Sequence, residues 1–380
     1  MLIDIVLGHA VGRGGLERVL SLVANELKRR GHSVRLFQSR PPDYEEWLET
    51  IPSMYYYDPV AMHFEPNYEG ELALFKQALG YRKLVLEMGV PDVVLATHTP
   101  YFSAMCKLAL AYLDGDRPPV VSWIHGPVEA YGAGELLRYA DAHLAISQGV
   151  GLSIQQAIGN DIPLFKVGNP LDFSSIERVP RPENGVEFLY IGRLDKRQKR
   201  LDVLFNALVN VSGDYRLTII GDGPNRDVLH ALATQMGLER HIRWLGWKEN
   251  PWAFVEEVSA LLLTSEFEGF GVVLVEALIR GIPVVSSRCA GPDEIVSGEN
   301  GWLFEPGDTH QLAEILQKLV DRSLPLPVPE LCIQSVWSYS KDVVVDRIEG
   351  ALHQVRALVP SRPSFVVRPR KDFKELNAKT

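Results

Sequence analysis

The chain has 380 residues, of which 46% are hydrophobic and 23% charged. These are values of an ordinary folded protein and exclude a wholly disordered, collagen-like or coiled-coil chain; at roughly 100–200 residues per domain, the length implies two domains. The net charge of -9 argues against a nucleic-acid partner, which needs a broad basic footprint, but leaves room for a local basic pocket.

The first residues, MLIDIVLGHAVGRGG, carry Asp4 inside an apolar stretch with no basic region ahead of it. They read as a strand (residues 2–7) and a glycine turn rather than a secretory signal. Residues 16–30 have apolar side chains at helical spacing and end in Lys28, Arg29 and Arg30 before Gly31, a helix C-terminus signal. Residues 33–38, 93–97, 119–124 and 142–146 read as further strands, with helical stretches between most of them. Residues 41–67 read as a loop region whose Tyr44, Trp47, Tyr55, Tyr56 and Tyr57 either stack on sugar rings or pack into the core. After residues 171–185, rich in polar side chains and proline, the alternation resumes. Strands are expected at 187–191, 216–221, 242–245, 260–264 and 283–286, and helices at 201–209 and 225–236. Residues 272–279 are apolar apart from Glu276, and the flanking glycines favour a buried helix there. Residues 341–359 form an amphipathic helix capped by Ser340. Residues 361–380, with six basic and two acidic side chains, read as a mobile tail. Serial strand and helix imply right-handed crossovers and two α/β halves with parallel sheets. No apolar run approaches the ~18 residues that span a bilayer. Cys106, Cys289 and Cys332 are odd in number and contain no CxxC pair; they read as small apolar residues of a reducing cytosol.

Four clusters carry candidate chemistry. Gly12, Gly14 and Gly15 sit between the first strand and its helix, where backbone N–H groups can meet an anion; the spacing is not that of a dinucleotide-binding turn. Five basic residues, Arg193, Lys196, Arg197, Lys199 and Arg200, crowd the loop after the strand at 187–191. Parallel sheets bind ligands at the carboxyl ends of their strands, and cations converging there suit a diphosphate. For Lys196, Arg197 and Arg200 a solvated charge cluster is the simpler account; Arg193 and Lys199 are assigned to the ligand. Glu268 and Glu276 flank Phe270 and Gly271, and paired carboxylates suit vicinal hydroxyls. Beside a phosphate-type loop, the pair points to a nucleotide sugar. His125, in the run Trp123–Pro127 at a strand end, faces the expected cleft; His9 and His98 are secondary candidates.

The runs GGLERV at Gly14, NPLD at Asn169, GRLDKRQKR at Gly192, GDGP at Gly221, EGFGVVLVEAL at Glu268 and NGWLFEPGD at Asn300 together resemble the retaining glycosyltransferases of family 4, which have the GT-B fold. GRLDKRQKRLD, WLGWKENPW, VSALLLTSEFEGF and AGPDEI are similar to lipopolysaccharide core 1,6-galactosyltransferases. The resemblance implies two Rossmann-like domains with parallel sheets facing across a cleft. Residues 1–172 would form the acceptor domain and residues 183–337 the donor domain, with the helix at 341–359 packed back onto the first. It implies that Arg193 and Lys199 hold a donor diphosphate in place of a metal, over the backbone of Gly14 and Gly15. Glu268 then contacts the sugar, Glu276 the ribose, and His125 lies against the transferred sugar. Backbone groups of Phe270 and Gly271 bind sugar hydroxyls, and Trp247 and Lys248 lie near the nucleobase. The family often has a glycine after the lysine; here Arg200 stands there, a departure that bears on the backbone path of the loop and not on its charge. The expected reaction is retaining transfer of galactose or glucose from a UDP-sugar to a glycan or glycolipid hydroxyl, in the cytoplasm or on the inner face of its membrane, with no cofactor and no metal. A GDP-mannose-dependent mannosyltransferase, a nucleotide-sugar epimerase, a phosphorylase and a non-catalytic sugar-nucleotide-binding protein are the alternatives.

Overall fold

The computed structural model describes residues 1–58, 71–111, 113, 117–174 and 176–358. The tail expected at 361–380 and the loop positions 59–67 lie outside the described residues. The first half runs β1 (Leu2–Val6), α1 (Gly15–Arg29), β2 (Ser33–Gln38), β3 (Met54–Tyr56), α2 (Glu71–Met88), β4 (Val93–Thr97), α3 (Tyr101–Leu110), β5 (Val120–Ile124), β6 (Ala142–Ala145), α4 (Gln148–Ile158) and β7 (Leu164–Lys166). The second half begins with β8 (Val186–Ile191), α5 (Leu201–Leu208), β9 (Tyr215–Ile220), α6 (Arg226–Gln235), β10 (Ile242–Gly246), β11 (Ala260–Leu263) and α7 (Val272–Leu278). It continues through β12 (Val284–Ser287), α8 (Pro292–Ile295), β13 (Gly301–Phe304), α9 (Thr309–Val320) and α10 (Pro329–Ser335), and α11 (Lys341–Leu358) follows.

Two parallel sheets result, a seven-stranded one in the order β3-β2-β1-β4-β5-β6-β7 and a six-stranded one in the order β10-β9-β8-β11-β12-β13. Strands such as β4, buried along its whole length, are near-continuous apolar runs because helices cover both faces. Apolar residues of β1, α11 and β11, including Ile5, Leu352 and Leu261, belong to one continuous cluster. The helix expected at 272–279 is present as α7. The short strands β3, β7 and β13 were not expected; three or four residues are too few for a periodic signal, and β3 and β7 are half-exposed sheet edges. β3 corrects the reading of residues 41–67 as loop.

The aromatic loop mostly joins the core. Trp47 and Tyr57 are buried; Trp47 Nε1 donates to Ser21 Oγ at 3.0 Å and the Tyr57 hydroxyl to the Leu7 carbonyl at 2.7 Å. Tyr55 packs on Phe37 with ring centroids 5.4 Å apart. Tyr44 is the member that stays exposed.

The chain leaves the first half at Leu171 and returns beside it. Leu171 N donates to Tyr339 O at 3.0 Å, and Lys341 N to Leu171 O at 2.8 Å. Helix α11 then docks on α1, where Arg30 bonds Glu26 at 2.8 Å and Glu349 at 3.0 Å, and His32 bonds Glu349 at 2.8 Å.

Asp4, the charge inside the first apolar stretch, is fully buried. The parallel register sets it opposite Arg35, which bonds it twice, at 2.6 and 3.0 Å, while the Tyr81 hydroxyl donates to it at 2.8 Å. Removing one partner of a buried pair leaves an uncompensated charge and typically costs about 3–5 kcal/mol. Arg35→Met is expected to lose stability on that scale in urea titration; a loss below about 1 kcal/mol would show that Asp4 does not depend on it.

Candidate active site

In each sheet the strand order reverses once, between β1 and β4 and between β8 and β11. Such switch points open a crevice at the carboxyl ends of the strands. The loops that leave these strands hold Gly14 and Gly15 (after β1), His98 (after β4), Arg193 and Lys199 (after β8) and Glu268 (after β11). His125 follows β5, the neighbour of β4.

The loop after β8 is folded by its own side chains. Asp195 Oδ1 accepts from the N–H groups of Arg197 at 2.8 Å and Gln198 at 3.0 Å, and the Gln198 bond above all holds the Asp195 carboxyl below its ordinary pKa. Thr264, just past β11, donates its hydroxyl to the Lys199 carbonyl at 2.9 Å. This aims the Lys199 ammonium at the Glu268 carboxylate, and the two form an ion pair in which the side chains are 16% and 9% exposed. Ser265 Oγ donates to the same carboxylate oxygen at 2.6 Å. Arg200 keeps the backbone path that a glycine would take, with φ 48° and ψ 45°. That left-handed conformation costs an ordinary residue roughly 1–2 kcal/mol, and Arg200 is anchored by Asp202 and Glu266.

The convergence of all five bases is not observed. Arg200 is occupied by carboxylates, Lys196 and Arg197 are exposed, and Arg193 turns to Gln198 Oε1 at 2.9 Å and Asp195 at 3.7 Å. Lys199 alone meets Glu268.

His125 lies where the halves touch. A Cβ on Gly269 would collide with the His125 carbonyl oxygen, so the backbone just after Glu268 runs against the end of β5. Burial first, and His98 second, hold the His125 imidazole at a pKa of about 3, and its Nε2 meets no protein partner. Phe270 is buried and packs edge-on against Tyr339 at 4.9 Å. Gly271 caps α7 with φ 89°, a conformation suited to glycine. Among the described residues, the N–H groups of Phe270 and Gly271 have no protein acceptor, which leaves them to an anion or hydroxyl.

Glu276, one turn into α7, is apart from Glu268. Its Oε2 accepts from Trp252 Nε1 at 3.0 Å, and its Oε1 lies 3.6 Å from Arg18 of α1. Gly14 caps α1 without a side chain, and a side chain at Gly15 would meet nothing within 4 Å. Trp247 is half exposed, with the Arg13 guanidinium 5.3 Å from its ring; the same guanidinium stacks on Tyr44 at 3.6 Å. Lys248 faces Phe254 at 4.7 Å rather than Trp247. His9 is engaged by Arg40 at 3.2 Å and Asp43 at 3.3 Å. Sequence reasoning assigned no role to Ser265, Arg13, Arg18 or Trp252. Ser265 stands three residues before Glu268, a spacing that could have found it; Trp252 is recognisable only once the second half is folded, and Arg13 and Arg18 only once the halves face each other.

Among the described residues, the side chains spaced to hold a metal are His32, Glu349 and His353, at the α1–α11 seam and at the amino end of β2, away from the carboxyl ends of the strands. The Lys199–Glu268 cluster, one ammonium and one carboxylate, is no ligand set.

Two doubly wound sheets, the second with a basic loop and a paired acid at its switch point, define a GT-B architecture. The model of the group 1 glycosyl transferases matches residues 173–330, and that of glycosyltransferase family 4 matches residues 13–172. The lipopolysaccharide 1,6-galactosyltransferase of Salmonella typhimurium is 32% identical over 328 residues, which cover 83% of this chain and 88% of the relative. The Escherichia coli enzyme of the same name is 32% identical over 329 residues, with the same two shares. The solved apo form of the lipopolysaccharide outer core galactosyltransferase WaaB superposes with a TM-score of 0.81 at 27% identity, covering 93% of this chain and 99% of that one. The chain belongs to the family 4, group 1 glycosyltransferases and has their GT-B fold.

The low pKa of His125 has a consequence for stability. An imidazole with a folded pKa near 3 and an unfolded one near 6.5 is protonated first in the unfolded chain. It therefore removes stability as pH falls from about 6.5 toward 3. His143, held at about 4 by burial, acts in the same window. His125→Gln is expected to flatten the decline of Tm between about pH 6.5 and pH 4.5; a Tm–pH curve parallel to that of the parent protein would sink the assignment of a neutral imidazole.

Proposed function

We propose that the protein transfers a hexose, galactose in the first instance, from a UDP-sugar to a hydroxyl of a lipopolysaccharide-type glycan or glycolipid, with retention of anomeric configuration and without a metal. The observation that carries this reading is the Lys199–Glu268 ion pair at the switch point of the second sheet, opposite His125 of the first. Galactose and the lipopolysaccharide acceptor are supported by the names and the 32% identity of the Salmonella and Escherichia coli relatives. UDP is supported by the resemblance of the loop motifs. Action at the inner membrane face follows from a lipid-linked acceptor; among the described residues no helix is long and apolar enough to cross a membrane.

When the nucleoside diphosphate leaves, negative charge grows on phosphate oxygens and positive character on the anomeric carbon. Lys199 is mostly shielded from water, where a fixed cation is worth most. Arg193, on an exposed arm, swings from Gln198 to supply the second charge, in the role a metal would otherwise fill. Glu268 and the N–H groups of Phe270 and Gly271 hold the sugar hydroxyls. The neutral His125 presents an imidazole edge to the sugar without a competing positive charge. No carboxylate is assigned as nucleophile; by resemblance to the family, the leaving phosphate helps take the proton of the acceptor hydroxyl on the same face of the sugar. Glu276 accepts the ribose hydroxyls.

Lys199→Ala is expected to lower kcat about a hundredfold; near-normal turnover would remove Lys199 from the reaction. Acceptor-dependent release of UDP from UDP-galactose, unchanged by a chelator, is the direct assay. A preference for GDP-mannose in a donor panel would overturn the galactose assignment, and UDP release indifferent to any acceptor would favour a binding protein or epimerase.

A further inference from the structure

The donor-site reading places Glu276 in the second half, yet the group nearest its free oxygen comes from the first. The carboxylate has two distinct sides. Oε2 is set by the second half itself, through Trp252 Nε1 at 3.0 Å; the Trp252 ring lies under the Arg280 guanidinium at 4.2 Å, and Arg280 donates to the Glu276 carbonyl at 2.7 Å. Oε1 faces Arg18 Nη1 at 3.6 Å, a distance that is an ion pair and not a hydrogen bond, so its lone pairs stay open to a hydroxyl. The other arm of Arg18 donates to the Glu249 carbonyl at 3.1 Å, just past Trp247 and Lys248. Arg18 is in the first turn of α1, beside the glycine loop, and among the described residues Glu276 is its only carboxylate partner. A second contact crosses at the same place, since Arg13 of that glycine loop stacks on Tyr44 and reaches Trp247.

We infer that Arg18 is a positioning residue for the donor. From the first half it aims the Oε1 side of Glu276 and holds the Glu249 carbonyl, so that the first half helps to position the groups that receive the nucleoside part of the donor. It acts through Glu276 and the Glu249 carbonyl and touches no reacting atom. The inference rests on the proposed donor site and deepens it by assigning part of nucleotide recognition to the acceptor half.

The test is a double-mutant cycle read by UDP titration calorimetry and by donor KM and kcat, on the full chain, with Arg18→Ala, Arg18→Lys, Glu276→Ala and the double Ala variant. An exposed charge pair of this kind corresponds to roughly a twofold to fivefold effect. Arg18→Ala is expected to weaken UDP binding and raise donor KM by that factor, with kcat little changed. Arg18→Lys should recover part of the loss, and Arg18→Ala should cost clearly less once Glu276 is gone, since only the Glu249 contact is then left to lose. Arg18 is 60% exposed, so an unchanged Tm is expected and separates the effect from misfolding. Equal losses in both backgrounds, no loss at all, or tighter UDP binding would each overturn the inference, the last by making Arg18 a competitor for Glu276. If Glu276→Ala itself leaves UDP binding intact, the donor site is what fails; if Glu276→Ala weakens binding and Arg18→Ala does not, the donor site stands and only the inference falls.

Discussion

Glu268 is a carboxylate nearly removed from water, and the second half is arranged to satisfy it. A buried charge is tolerated only when paired and hydrogen-bonded. Its partners come from two chain segments that the sheet makes neighbours: Lys199 from the loop after β8, and Ser265 from the loop after β11. Several bonds of the β8 loop serve that meeting. Asp195 gathers the amides ahead of Lys199, Thr264 ties the Lys199 carbonyl to the end of β11, and Arg200 accepts a left-handed backbone so that the chain can turn into α5. The ion pair therefore sets how two adjacent loops stand at the mouth of the sheet, and it places an ammonium where a departing phosphate would need one.

The second constraint is the close approach of the halves. Gly269 has no side chain, and any side chain there would strike the end of β5. One residue after the paired acid, the donor loop is thus pressed against the strand end that carries His125. Close by, where Phe270 packs on Tyr339, the chain crosses at Leu171 and recrosses at Ser340 through paired backbone hydrogen bonds, and α11 is fastened to α1 by Arg30, His32 and Glu349. Elsewhere between the halves, Arg13 and Arg18 reach from the first half to Trp247, Glu249 and Glu276. A nucleotide sugar entering there meets groups of both halves.

The charge balance is local. The protein is acidic overall, and besides Lys199 two of the five bases in the β8 loop are already occupied by acids or amides of the same half. Arg200 is taken by Asp202 and Glu266, and Arg193 by Gln198 and Asp195. What distinguishes Lys199 is its partial burial beside one carboxylate, because a cation shielded from water acts more strongly on a nearby anion than one on the surface.

By itself, the amino-acid sequence determined the α/β alternation, the two halves, the identity of α7 as a helix, and the loops that carry Lys199, Glu268 and His125. Each of these is a local matter: apolar runs long enough to show a period, glycines at strand ends, and runs of charge. The short edge strands β3, β7 and β13 left no such signal, and Trp47 and Tyr57 belong to the core because distant partners, Ser21 and Leu7, accept their hydrogen bonds. Tertiary structure alone decided which of five bases meets the acid, that Arg200 could stand where glycine is usual, and that Arg18 of the first helix would face Glu276 of the second half. These outcomes depend on the parallel order of the strands and on contacts between residues up to 258 positions apart, and no window of sequence contains both members of such a pair.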